Sequence, residues 1–198
     1  MTAGGDDPAL VARARQLART LLHPLPERVQ HTQGVANRAA EVAVTVPPAD
    51  RCMLVAAAWL HDIGYSPLIR HTGVHPLDGG LYLRDHGWDE RLVGLVAHHS
   101  GARFVPVARG FATLMADFPF EDSAVSDALT YADQTVGPHG RPMTVPYRIA
   151  EAIARHGPDS PNALARVDRV PYLLVVADRV EKRLANDLGD HRPAGWLP

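Results

Sequence analysis

The chain has 198 residues, 46% of them apolar and 21% charged, with a formal net charge of −2. That length supports one domain with a sizeable core, and the lack of a basic surplus argues against nucleic acid or an anionic membrane as the main partner. No apolar run reaches the ~18 residues of a membrane span, the single cysteine, Cys52, cannot form an intrachain disulfide, and the polar, acidic N-terminus lacks a leader pattern; a cytoplasmic protein is the expectation.

The hydrophobic period is helical along the whole chain, with no convincing alternating strand and no repeat. The expected fold class is therefore all-α, one domain over 1–198 with a core at about 25–140 and a helical extension at about 145–188. Residues 8–22 read as a first helix. Pro26 opens a second, running to about Val44 before Pro47-Pro48 stops it. Within it His31, Val35, Ala39 and Val42 share one face, which places His31 on the buried side. Residues 49–63 form a central helix that is apolar all round and ends in His61-Asp62, with Gly64 where a C-terminal glycine belongs. His75-Pro76 opens the next helix, which closes at Gly87. Asp89 caps another, carrying Leu92, Leu95, Val96, His98 and His99 and stopping at Ser100-Gly101. A short helix is expected near 110–117. Asp122-Ser123 caps a helix to about Val136 whose stripe is Val125, Leu129 and Asp133. Residues 137–146 are a loop by composition. A helix over 146–156 follows, and Ser160-Pro161 begins the last, which Pro171 should break or kink. Leu173, Val176, Val180 and Leu184 form its apolar stripe, and the tail from Gly189 is expected to be loose.

A carboxylate at the end of an apolar stripe is costly to bury unless its charge is compensated. Asp62 and Asp133 both stand in that position. Taken singly, His31 is as readily a hydrogen-bonded core histidine, Asp133 a salt-bridge partner and His98-His99 a solvated helix end. Taken together, His31, His61, Asp62, His75, His98, His99 and Asp133 are a metal-competent set drawn from five segments. Imidazole with carboxylate suits Fe, Mn, Zn, Co or Ni. Lysine occurs once, at Lys182, so an anion-binding group in such a site is expected to be Arg.

The ordered pattern His31 … His61-Asp62 … Asp133 resembles the HD-domain superfamily of metal-dependent phosphohydrolases over about residues 25–140. Val29-Gln-His31-Thr-Gln-Gly-Val35, Trp59-Leu-His-Asp-Ile-Gly64 and Thr130-Tyr-Ala-Asp133 look like its first histidine helix, its signature and its closing aspartate. His75-Pro-Leu-Asp-Gly-Gly80 and Ala97-His-His-Ser-Gly101 resemble the further histidine motifs of two-metal members. The resemblance implies one metal held by His31, His61, Asp62 and Asp133, and a second by His75 and His98 with Asp62 bridging. The branch that hydrolyses dinucleoside tetraphosphates places one His before two small polar residues and Gly here, which selects His98; bare helix periodicity instead puts His99 on the Leu92, Leu95, Val96 face. Tyr65 stands where cyclic-dinucleotide phosphodiesterases carry Lys, and their Gly-Tyr-Pro motif is absent after His99, which argues against that substrate.

The implied activity is hydrolysis of a phosphoester, on a nucleotide or related phosphorylated small molecule, by metal-activated water with one or two divalent transition-metal ions. His61 and Asp62 would carry the chemistry. Arg141 is the candidate phosphate clamp, or else an exposed loop charge, and Gln134 a supporting partner of Asp133. A small branch of the same superfamily uses the same ligands to hold two irons and cleave C–H or C–P bonds with oxygen, so a mixed-valent di-iron oxygenase is the alternative. A non-catalytic sensing module would need a degraded ligand set, and here all six positions are filled.

Overall fold

The computed structural model describes residues 7–105, 110–157 and 160–190. The fold is all-α. Its helices are α1 (Pro8–Leu22), α2 (Pro26–Glu41), α3 (Arg51–Leu60), α4 (His75–Asp85), α5 (Glu90–His98), α6 (Ala112–Ala116), α7 (Ala124–Gln134), α8 (Val145–His156), α9 (Pro161–Leu164) and α10 (Arg166–Asp190). Among the described residues there is no β-strand, only a lone bridge between Val136 and Pro142.

Local chemistry accounts for most of the boundaries. Prolines occupy the first turn of α1, α2, α4 and α8, where a missing N–H costs nothing. Asp89 caps α5 by accepting from the Arg91 and Leu92 amides at 2.9 and 3.2 Å. Ser123, rather than Asp122, caps α7, its Oγ accepting from the Ser126 amide at 3.2 Å. The second helix tightens at Val42 into a 3₁₀ turn to Thr45. In the C-terminal part, the interruption falls between α9 and α10, and α10 runs straight through Pro171. Gly189 belongs to α10, while the rest of the expected loose tail, 191–198, lies outside the described residues.

The centre is α3. Leu54 and every residue from Ala56 to Leu60 are buried, with α1, α2, α5 and α7 packed around it. An all-apolar helix can only be stable when covered on every side, and this one carries the next two residues, His61 and Asp62, into the interior. The α10 helix lies along α7 through Leu173, Val176 and Val180. Arg183 fastens it there, donating to the buried Asp127 carboxylate at 2.6 Å.

Gly64 has a different role from the one its position suggests. The helix already ends at Leu60, and Gly64 sits in a 3₁₀ turn, Ile63–Tyr65, without a left-handed φ. A Cβ there would lie 1.9 Å from the His75 carbonyl oxygen and 2.7 Å from the Gly79 amide. Its small size lets the turn after α3 press against the first turn of α4, and this brings His75 beside Asp62.

Candidate metal centre

Five helices and the turns that follow them converge on one point. His31 comes from the buried face of α2. His61 and Asp62 leave the end of α3, His75 opens α4, His99 follows α5, and Asp133 sits in the last turn of α7. His31, His61 and Asp133 form one group of potential ligand atoms, and His61, Asp62 and His99 form another; within each the atoms lie within 4.8 Å of one another.

Asp62 faces both sides. Its Oδ2 is 3.3 Å from His61 Nε2 and 3.7 Å from His31 Nε2, while its Oδ1 is 3.3 Å from His75 Nε2 and 3.9 Å from His99 Nε2. Asp133 Oδ1 stands 3.0 Å from His31 Nε2 and 3.9 Å from His61 Nε2.

The tautomers follow from the other ring nitrogens. His31 Nδ1 is 3.0 Å from the Gly137 carbonyl, His61 Nδ1 2.8 Å from Ala58 and His99 Nδ1 2.6 Å from Val96. A carbonyl only accepts, so each Nδ1 carries the proton, and in the neutral ring Nε2 points inward as a lone pair. Three lone pairs therefore face two carboxylates, an arrangement of acceptors against acceptors. His61 Nε2 is fully buried and out of line for a hydrogen bond with any described residue. Such a set is favourable when a cation stands among the acceptors, and metal-bound histidines are held in the same way, by an outward N–H to a carbonyl. The residues present thus fit a divalent metal ion.

The charges agree. Without a metal, burial opposes ionisation of Asp62 and Asp133, but His61, when it carries a second proton, and Arg28 around the first, and His31 and His61, likewise protonated, with Arg148 around the second, hold both carboxyls well below the usual range. Burial lowers the pKa of His75 and takes His99 down to about 4, so these rings stay neutral as ligands must. At His61 burial is outweighed by Asp62, and the pKa rises. The site favours positive charge at that point, whether proton or metal.

Supporting groups orient the ligands. Ser100 is the only described non-glycine residue with positive φ (53°). Its amide donates to Thr130 Oγ1 at 3.1 Å and its hydroxyl bonds Asp133 Oδ2 closely. Gln134 Nε2 donates to the same Asp133 oxygen at 3.1 Å, the supporting position expected of it. Gly34 and Gly140 meet where a Cβ on Gly34 would be 2.7 Å from Gly140 Cα, and this contact brings the loop after α7 onto α2 so that Gly137 reaches His31.

Two expectations are corrected. His98 does not reach the cluster: its Nε2 is 3.1 Å from the Phe118 carbonyl and its ring stands edge-on to Phe120. His99 occupies the place instead, because it continues the buried face of Leu92, Leu95 and Val96; periodicity overrides the motif match. Arg141 is exposed and lies outside the cavity; its carbonyl accepts from the Gly137 amide at 2.8 Å.

The cluster forms one wall of a cavity of about 380 Å³, within the range of small-molecule sites. Arg28, Arg148 and Arg169 line it as well. Arg28 donates to Asp62 Oδ2 at 2.7 Å and lies 4.2 Å over the Tyr65 ring, which stacks on His75 at 4.0 Å. The i, i+3 spacing of Arg28 and His31 on one helix was the sequence signal that could have found it. A second cavity of about 580 Å³ between α2, α7 and α10 contains none of these ligands.

The sequence model of the HD domain matches residues 28–136. The chain belongs to the HD-domain family, most members of which are metal-dependent phosphohydrolases. Comparison with curated proteins and with solved structures returns no significant match to either.

Proposed function

We propose that this protein is a metal-dependent phosphohydrolase that holds one or two divalent transition-metal ions and hydrolyses a phosphoester of a small molecule, such as a nucleotide. One observation carries the reading: three buried imidazoles, each with its outer N–H bound to a carbonyl, aim lone pairs at two ionised carboxylates beside a cavity. His31, His61 and Asp133 would hold one ion and His75 and His99 a second, with an Asp62 oxygen directed to each side. A divalent cation so held supplies Lewis acidity towards a phosphoryl oxygen and acidifies water to near neutrality.

The chain's own groups supply the rest. Asp62 and Asp133 stay ionised, so neither carboxyl has to release a proton before a cation binds. Arg28, anchored by Asp62 and Tyr65, stands at the cavity wall where a phosphoryl oxygen would need a donor. Hydrolysis adds the water oxygen to phosphorus, breaks the ester P–O bond, and passes a water proton to the departing oxygen.

The test is elemental analysis of protein produced without added metals, followed by phosphate release from nucleotides and simple phosphoesters. Asp62→Ala is expected to lose bound metal and to reduce turnover by about a hundredfold or more. A variant with full metal content and full activity overturns the assignment. Oxygen uptake with a mixed-valent di-iron EPR signal, and no phosphate release, would replace the hydrolase with the di-iron oxygenase.

A further inference from the structure

The cavity has a second wall that hydrolysis at the metal centre does not by itself require. Arg148 on α8 and Arg169 on α10 both line it, and both lie outside the HD-matched residues 28–136. The Arg148 side chain is only 7% exposed. Its Nη1 pairs with Glu151 at 2.6 Å, its Nη2 is 3.9 Å from Asp133 Oδ1, and its buried Nε has no hydrogen-bond partner among the described residues. Arg169 donates from Nε to the Ser100 carbonyl at 2.7 Å and forms no ion pair with any described carboxylate.

Two guanidinium groups that line one recess repel each other. Burial pushes the Arg169 pKa down, Asp133 opposes this, and Arg148 adds to it. A buried cation without a counter-ion is unfavourable, and the planar fork of Arg is shaped for two oxygens of a phosphate. Glu151 is shared between Arg148 and Arg155 and leaves the recess short of negative charge. Both arginines also reach the metal centre's own support: Arg148 through Asp133, and Arg169 through Ser100, whose hydroxyl holds Asp133.

We infer that Arg148 and Arg169 form a subsite for a second phosphoryl group of the substrate, so that the substrate class is a small molecule with two or more phosphoryl groups rather than a simple monoester. This rests on the phosphohydrolase reading and deepens it. The metal centre takes the phosphoryl group to be cleaved, and the arginines take its neighbour.

The experiment compares binding of methylenediphosphonate and methylphosphonate by isothermal titration calorimetry, on the full chain as purified and again after chelator treatment. Neither probe has an ester to cleave, so the result does not depend on turnover. The diphosphonate is expected to bind about tenfold more tightly than the monophosphonate or better. Arg148→Gln and Arg169→Gln should each bring that ratio close to unity, with Arg148→Lys intermediate because it keeps charge and loses the fork. Arg141→Gln, outside the cavity, should keep the full ratio. If Arg148→Gln fails to fold, Arg169→Gln, at a less buried position, carries the comparison. Equal affinities in the unmodified protein, or a full ratio in Arg169→Gln, would overturn the subsite. Failure of the phosphohydrolase reading looks different: no bound metal and no phosphate release from any ester, with the ratio still measurable.

Discussion

Asp62 directs one oxygen to His31 and His61 and the other to His75 and His99, and it is the residue on which both halves of the centre depend. The two adjacent histidines of the Ala97–Gly101 segment separate cleanly by role. His99→Ala should weaken metal retention by about tenfold or more, because it removes an inward lone pair. His98→Ala should leave metal content intact and cost about 1–2 kcal/mol of stability through loss of its bond to the Phe118 carbonyl. Metal analysis together with denaturant titration distinguishes them, and the reverse pattern would restore His98 as the ligand. Ser100→Ala keeps the left-handed backbone but removes the hydroxyl that steadies Asp133. Metal affinity is expected to fall by about tenfold, measured by competition with a chelator.

Contacts between elements decide whether those residues meet. The turn after α3 and the start of α4 touch at Gly64, where a Cβ would overlap the His75 carbonyl. Gly64→Ala is therefore expected to cost about 3 kcal/mol or more and to disturb His75 at the same time. A denaturation midpoint equal to that of the unmodified chain would show that the two turns are not in such close contact. On the other side of the molecule α10 is held to α7 by Arg183 and the buried Asp127. Asp127→Ala should lose about 1–3 kcal/mol, and because α10 also carries Arg169 it should weaken diphosphonate binding along with stability.

For the whole molecule, a site of paired acceptors predicts that metal stabilises the fold. At a metal concentration about 100 times Kd the gain is about 2.7 kcal/mol, which for a chain of this size raises Tm by roughly 5–10 °C. Calorimetry before and after chelation measures it; an unchanged Tm with metal shown to bind would mean that the unfolded chain binds the metal equally well, against a site built only in the folded state. Among the described residues no helix is long and apolar enough to cross a membrane.

The grouping of His31, His61, Asp62, His75 and Asp133 was an expectation from the family resemblance, while the residue order by itself determined the all-α fold, most helix starts and the buried central helix. These follow from signals acting within one or two turns: proline in a first turn, a capping hydroxyl or carboxylate, and a period that marks the inner face. Tertiary structure decided the rest. Both His98 and His99 are buried, but His99 is directed at Asp62 whereas His98 is turned to the Phe118 carbonyl and the Phe120 ring, a difference of direction that a motif aligned by spacing does not record. Arg148 and Arg169 replace Arg141 at the cavity because their approach depends on how α8 and α10 fold back over α7, across separations that no local pattern records. Gly64 looked like a helix stop. Its place is instead fixed by a carbonyl from the start of the next helix, a contact that exists only once α3 and α4 have packed together.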